Sequence, residues 1–321
     1  MAVHNNLAKQ VLENGGKIYP LTFPTQTKTG LFNPSILVKD DRVWINVRHC
    51  QYTLIHTDSK WESRWGPLIY LNPENDITLT TTNFLCEWKE GELKSATEID
   101  TSFLDVKPQW EFVGLEDARL VDWNNKLYLT GVRRDTETTG IGRMELSEIN
   151  NYKEVKRFRI PTPNNKESYC EKNWMPILDT PFHYVKWCNP VEIVKVNPGG
   201  DTEQVFLGKP IDGINDMRGG SQVISIGEHR FCIVHETWYW RNNQNNKDAT
   251  YRHRILCFDN DWNIIHKTIP FNFMSGLIEF CCGLAEYKDK ILITFGYSDN
   301  SAYLLELPKD YFLKLVYAGI E

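Results

Sequence analysis

At 321 residues, with 41% hydrophobic and 12% aromatic side chains, the chain can bury a large core, as one big all-β domain or as two ordinary ones. A formal net charge of -6 and an isoelectric point near 5.8, with no basic stripe or tail, exclude a general nucleic-acid binder. Eight cysteines are too sparse for a disulfide scaffold, and the adjacent Cys281 and Cys282 have neither zinc-ribbon nor redox spacing, so most are expected to be buried thiols.

Residues 1–29 read as an N-terminal extension. Their opening, MAVHNNLAKQVLENGGK, lacks the apolar core of a signal peptide, and NNLAKQVLENG is the one segment with a helical pattern. No later run approaches the roughly 20 apolar residues that span a bilayer. The expectation is a cytoplasmic protein without a membrane span.

From residue 30 to residue 321 one pattern recurs five times. Small or polar residues precede a short apolar strand, a polar turn, and a second apolar strand that ends in charged or aromatic residues. The units are NPSILVKDDRVWINVR (Asn33 to Arg48), EDARLVDWNNKLYLTGVR (Glu116 to Arg133), KNWMPILDTPFHYVKW (Lys172 to Trp187), RGGSQVISIGEHRFCIVHE (Arg218 to Glu236) and CCGLAEYKDKILITFGYSD (Cys281 to Asp299). Alternating β-branched and aromatic residues around Asp, Asn, Gly and Lys turns are hairpin signals. Further strands such as LIYLNPENDITLTTTNFLCEW, EIVKVN and HRILCFD fill the intervals, which makes one four-stranded blade per unit. The chain is therefore read as an all-β five-bladed β-propeller in a single domain, with an irregular β-sandwich as the rival.

If each unit's first strand lines the channel and its second returns antiparallel, the residues that open the first and close the second meet at one end. The openers are Asn33, Glu116 with Asp117, Lys172 with Asn173, and Arg218 with Gly219 and Gly220; the closers are Arg48, Arg133, Trp187, His235 with Glu236, and Tyr297 with Asp299. Charged and aromatic groups converging in a pocket are the default active-site hypothesis. Strand alternation would turn Glu116 into a blade interface, where it could pair with Arg119, and Asp117 into the channel. No second His lies at helical spacing from His235-Glu236, so no metal is expected. Trp238, Tyr239 and Trp240, in ETWYWRNNQNN, suit either core packing or stacking on a sugar ring.

The ordered series FNPSI with a strand ending at Arg48, GLEDARL, EKNWMPI, RGGSQVI followed by VHE, and CCGL followed by ILITFGYSDNSAYLLEL covers roughly residues 30 to 307. It resembles the β-mannoside phosphorylase family and its five-bladed mannosyltransferase relatives. In that family a Glu-Asp-Pro-Arg motif carries an Asp that serves as general acid, and basic residues around the funnel hold phosphate; this chain has Ala118 where the family usually has Pro. The resemblance implies glycosyl transfer with inversion, of a mannosyl group above all, with Asp117 as the single acid and Arg48, Lys172 and His235 on sugar or phosphate. The repeat geometry adds Asn33, Glu116, Arg133, Asn173, Arg218, Glu236, Tyr297 and Asp299 as binding candidates. No cofactor is implied beyond inorganic phosphate, a sugar phosphate or a nucleotide sugar as co-substrate, and the partner is a glycan or sugar phosphate. A hydrolase would instead need a second carboxylate to activate water, for which Glu236 and Asp299 are candidates. A non-catalytic propeller would bind glycan or protein through the same funnel.

Overall fold

A computed structural model describes residues 6–56, 68–71, 79–163, 168–197, 199–212, 217–241 and 247–318. Tight turns set its hairpins. Asp40-Asp41, Asn124-Asn125 and Asn151-Tyr152 all have left-handed φ, between +48° and +61°. That conformation matches the twist of paired strands, and Asp and Asn adopt it at low cost.

Five blades of four strands result; Phe112–Val113 adds a parallel strand to the third strand of the first blade, and Thr53–His56 pairs with Leu68–Leu71 apart from the blades. Outward from the channel, blade 1 consists of Gly30–Lys39, Arg42–Cys50, Leu79–Lys89 and Glu92–Glu98, and blade 2 of Glu116–Trp123, Lys126–Arg133, Arg143–Asn150 and Lys153–Arg159. Blade 3 consists of Met175–Pro176, His183–Cys188, Val191–Val196 and Thr202–Leu207, and blade 4 of Ile224–Ile226, His229–Arg241, Lys247–Phe258 and Ile264–Lys267. Blade 5 takes three strands, Glu279–Tyr287, Lys290–Tyr297 and Ser301–Pro308, from the end of the chain and its outer strand, Lys17–Pro20, from the N-terminal segment, with Lys17 opposite Glu306. This pairing closes the ring and covers the edge that blade 5 would otherwise leave open. The five hairpins read from the sequence are the two inner strands of each blade; residues 72–78 of one expected strand segment lie outside the described residues.

Apolar clusters fill the interfaces between blades. Leu37, Leu85, Leu115 and Leu129 join blades 1 and 2; Val121, Trp123, Tyr184 and Val194 join blades 2 and 3. Val185, Ile193, Cys232 and Phe258 join blades 3 and 4, Phe231, Ile255, Leu284 and Ile293 join blades 4 and 5, and Leu292, Leu304, Val43 and Ile45 join blades 5 and 1. All eight cysteines are free thiols, and seven are buried.

At the centre the inner strands have no sheet neighbour on the channel side, so side chains satisfy their backbone groups. Ser35 Oγ donates to Ala118 O at 2.7 Å and accepts from Leu120 N at 3.0 Å, and Thr294 Oγ1 donates to Pro34 O at 2.6 Å. Arg119, wholly buried, crosses from blade 2 to blade 4 with Nε and Nη2 on Gly220 O at 2.9 and 2.7 Å.

Leu7–Glu13 is helical as expected, with Asn6 capping it by accepting from Lys9 N at 2.9 Å. A second helix, Lys309–Tyr317, was not expected. Its buried Phe312, Leu315 and Val316 have helical spacing, but the run is short and continues directly from an apolar strand. Packing on the cluster between blades 4 and 5 decides its conformation. No helix among the described residues is long and apolar enough to cross a membrane.

Candidate active site

Bulges at the mouth of the channel create the site. In blade 1 the register slips between Phe32 and Ser35, and in blade 2 between the partners of Thr130 and Val132. Asn33 and Asp117 sit at these slips with φ of +47° and +49°, and Asn173 opens blade 3 at +62°. Asn and Asp are among the few residues with a side chain that tolerate this left-handed conformation. The bulge interrupts the two-residue alternation and re-aims the side chains. It also demands space: a Cβ on Gly296 would lie 2.1 Å from Asn33 Oδ1.

The consequence corrects the expectation for Glu116. Because alternation fails at the bulge, Glu116 and Asp117 both face Arg48, whose Nη1 donates to Asp117 Oδ1 at 2.8 Å while Nη2 lies 3.5 Å from Glu116 Oε2. Asn33 Nδ2 donates to the same Asp117 oxygen at 2.7 Å. Arg119 forms no pair with Glu116; it donates to the backbone oxygen of Asp117 at 2.6 Å and fixes the bulge from below.

Arg48 is 4% exposed and its guanidinium is committed within the protein. Beyond the carboxylates it donates to Thr81 Oγ1 at 3.2 and 3.1 Å and to Tyr52 OH at 2.8 Å, and it lies 4.8 Å above the Phe32 ring. Arg48 is therefore a clamp for Asp117 and Glu116 rather than the open anion ligand expected from the sequence. Lys172 is the reverse case. It is exposed, has no hydrogen bond or ion pair among the described residues, and its charge reaches Glu116, Asp117 and Asp299.

Three carboxyls in this field titrate differently. Burial alone would raise Asp117, but Arg48, Arg119, the Asn33 bond and Lys172 outweigh it and hold the carboxyl below the usual range. Glu116 is pushed up, by burial first and by Asp117 beside it, against the pull of Arg48. Asp299 occupies a left-handed turn between two strands of blade 5, with φ of +44°, and burial pushes it to about 6.

The Asp299 shift has a measurable sign. Its protonated form is favoured by folding, so its contribution to stability is complete below the ordinary aspartate value near 3.8 and is lost as the pH rises through about 6. Asp299→Asn is expected to gain in melting temperature relative to the parent as the pH rises from 5 to 7. A difference that stays constant across this range would count against the shifted carboxyl.

His235 is 2% exposed, 2.9 Å from Gly219 O through Nδ1, and stacked on Tyr251 with centroids 5.3 Å apart. A carbonyl only accepts, so Nδ1 carries the proton. Burial, followed by His253, Arg218 and Lys172, pushes the pKa well below the usual value and leaves the ring neutral. Arg218 exchanges backbone hydrogen bonds with His235 and points Nη1 toward Tyr239 OH, 3.4 Å away. Asn173 is 7% exposed, beside Lys172.

Three expected members belong elsewhere. Arg133 bonds Glu145 at 2.7 Å and lies 3.6 Å from Asp135 within a buried network of blade 2. Glu236 is held by Arg254, which leaves Asp299 as the remaining candidate for a second carboxylate. Tyr297 stands over Gly276 and beside Tyr303. In each case the side chain finds a local partner that strand order does not reveal. Conversely, Tyr52, Thr81 and Tyr251 escaped notice because they carry no charge and lie outside the strand ends used to find the site.

The fold is shared with solved mannoside phosphorylases. A β-1,2-mannobiose phosphorylase from Listeria innocua, in complex with β-1,2-mannobiose, superposes with a TM-score of 0.56 at 14% identity, covering 99% of this chain and 100% of that one. A structure from a family of mannoside phosphorylases that contains glycoside hydrolases targeting β-1,2-mannosidic linkages in Candida mannan gives 0.59 at 13% identity, over 92% and 94%. A mannose phosphorylase from Leishmania mexicana, in complex with phosphate ion, gives 0.54 at 13% identity, over 95% and 93%. No family model matches the chain, and no curated protein matches it.

Proposed function

We propose that this chain is a carbohydrate-active enzyme that cleaves a β-mannoside by phosphorolysis. The observation that carries this reading is a partly buried carboxylate pair on Arg48 beside the exposed ammonium of Lys172, which has no hydrogen bond or ion pair among the described residues, at the mouth of a five-bladed channel. Glycosyl transfer to phosphate needs an acid to protonate the leaving oxygen and a cation to hold the nucleophile. Phosphate then attacks the anomeric carbon from the opposite face, the glycosidic C–O bond breaks toward the leaving group, and a sugar 1-phosphate of inverted configuration results.

Asp117 is the acid in this scheme. It is ionised in the ligand-free site, because Arg48, Arg119, Asn33 and Lys172 overcome burial. An anion bound at Lys172 cancels part of that field and raises the pKa, so arrival of phosphate favours the protonated carboxyl.

Lys172→Ala is expected to weaken inorganic phosphate binding by about 1.5–3 kcal/mol, the range for a hydrogen bond to a charged group. Its melting temperature should stay near the parent's, since Lys172 is exposed. Calorimetric titration with phosphate checks this, and unchanged affinity would assign the anion elsewhere.

Hydrolysis is a second reading, favoured by Asp299. A carboxyl near 6 is partly ionised at neutral pH and could serve as base for water. Incubation of a β-mannoside with and without phosphate separates the two. Phosphorolysis yields mannose 1-phosphate only when phosphate is present, whereas hydrolysis releases mannose in either case.

A further inference from the structure

One face of blade 1 grips the carboxylate segment of blade 2. In the second and third strands of blade 1 Arg48 stands opposite Asn83, and Asn46 and Thr81 lie two positions before them in an unbroken register. Strand alternation therefore puts all four side chains on the same face. All four are buried. Arg48, held by Thr81 Oγ1, takes the side chains of Asp117 and Glu116.

The two amides take the backbone. Asn83 Nδ2 donates to Leu115 O at 3.0 Å, and Asn46 Nδ2 donates both to Ala118 O at 3.2 Å and to Asn83 Oδ1 at 3.0 Å, which ties the amides into one unit. Leu115 O and Ala118 O can only accept, so each amide turns its nitrogen toward blade 2. These two carbonyls bracket Glu116 and Asp117. Between them lies the bulge, flanked by Glu116 opposite Val132 and Arg119 opposite Thr130, where the ladder is interrupted. Adhesion between the blades does not call for buried amides, because Leu37, Leu85, Leu115 and Leu129 already join them.

We propose that Asn46 and Asn83 are positioning residues for the acid: by tying Leu115 O and Ala118 O to the strand pair that carries Arg48, they set the approach of Asp117 to the Arg48 guanidinium. This deepens the reading of Asp117 as the acid and rests on it.

The test compares the full chain with Asn83→Ala, Asn46→Ser and Trp123→Phe. Trp123→Phe is the control, since it removes another buried bond between blades, Trp123 Nε1 to Ile177 O, at the opposite end of the same strand. The first readout is the titration of the Asp117 carboxyl by NMR with isotope-labelled aspartate, assigned by its absence in Asp117→Asn. The groups that reach Asp117 are Arg48 from blade 1, Glu116 and Arg119 from its own strand, Lys172 ahead of blade 3, Tyr251 from blade 4, and Cys282 and Asp299 from blade 5. All of them remain in the three variants, and Asn83 and Asn46 carry no charge, so a shift reports position. Asn83→Ala is expected to raise the midpoint, because a looser bulge lets Asp117 draw away from Arg48. Asn46→Ser, the milder change, moves it in the same direction and serves if Asn83→Ala does not fold. The second readout is phosphorolysis of a β-mannoside, in which kcat falls about 10- to 100-fold, the scale for a reacting group displaced by about 1 Å, while phosphate affinity is retained. Trp123→Phe changes neither readout. A midpoint that stays put in the folded variants, one that moves as far in Trp123→Phe, or a shift that leaves turnover undiminished overturns the positioning role. If the parent converts no mannoside, the proposed function falls, and the midpoint alone decides whether the amides position Asp117.

Discussion

Asp117→Asn is expected to lower turnover of a β-mannoside in the presence of phosphate by about 10²–10⁴-fold, the range for a lost general acid. The substitution preserves the geometry on which the site depends. An asparagine oxygen still accepts from Arg48 and Asn33, and asparagine tolerates the φ of +49° at the bulge. Binding of the glycan should change little and the fold should be retained, with a modest fall in melting temperature at pH 7 because the charge that Arg48 stabilises is lost; loss of turnover far beyond that fall separates chemistry from folding. Asp117→Ala is the less clean variant, because alanine in a left-handed conformation costs about 1 kcal/mol or more in addition to the lost bonds. An Asp117→Asn enzyme with full activity would remove Asp117 from the acid role. A parent protein that binds glycans tightly but converts none would favour the non-catalytic propeller.

Arg48→Ala is expected to be the most destabilising change at the site, by about 3 kcal/mol, the lower end of the range for breaking a buried pair, because it takes the nearest counter-charge from two partly buried carboxylates. The loss should depend on pH in a definite direction. Arg48 leads the groups that depress Asp117, and the stability from a depressed carboxyl is present above its unfolded value and lost as the pH falls. Without Arg48 the carboxyls take up protons more readily, so the penalty should be larger at pH 7 than at pH 5. Arg48→Lys should recover only part of it. A single ammonium cannot reproduce the fork that serves Thr81, Tyr52 and Asp117 together. Denaturant titrations of the three proteins at both pH values check this, and a penalty independent of pH would mean that lost packing, not charge, is responsible.

The blade pattern and most of the mouth were readable because a propeller repeats its local grammar. Each inner hairpin has its own alternation and turn residues, and the openers of the first four units line up once the hairpins are aligned. Asn33, Asp117, Lys172, Asn173, Arg218 and His235 were named from their places in the repeat, and Asp299 from the same unit although it lies in a turn rather than at a strand end. The direction of Glu116 was not readable, since strand alternation assumes an unbroken strand and the bulge at Asp117-Ala118 breaks it. Arg133 and Glu236 have the right positions in the repeat, but Glu145 and Arg254 capture them.

The sequence alone determined what depends on neighbours along the chain: the five hairpins, their turns, the helix at Leu7–Glu13, and which residues stand at the openings of the first four units. Tertiary structure decided what depends on residues brought together from afar. Arg48 meets Asp117 across 69 positions, Arg119 meets Gly220 across 101, and Lys17–Pro20 meets the last strand of the chain. The electrostatics belong to this second class. Asp117 and Asp299 are the same residue type with opposite shifts, because a carboxyl's pKa records the balance between burial and the charges around it. That balance exists only once the blades have closed around the channel.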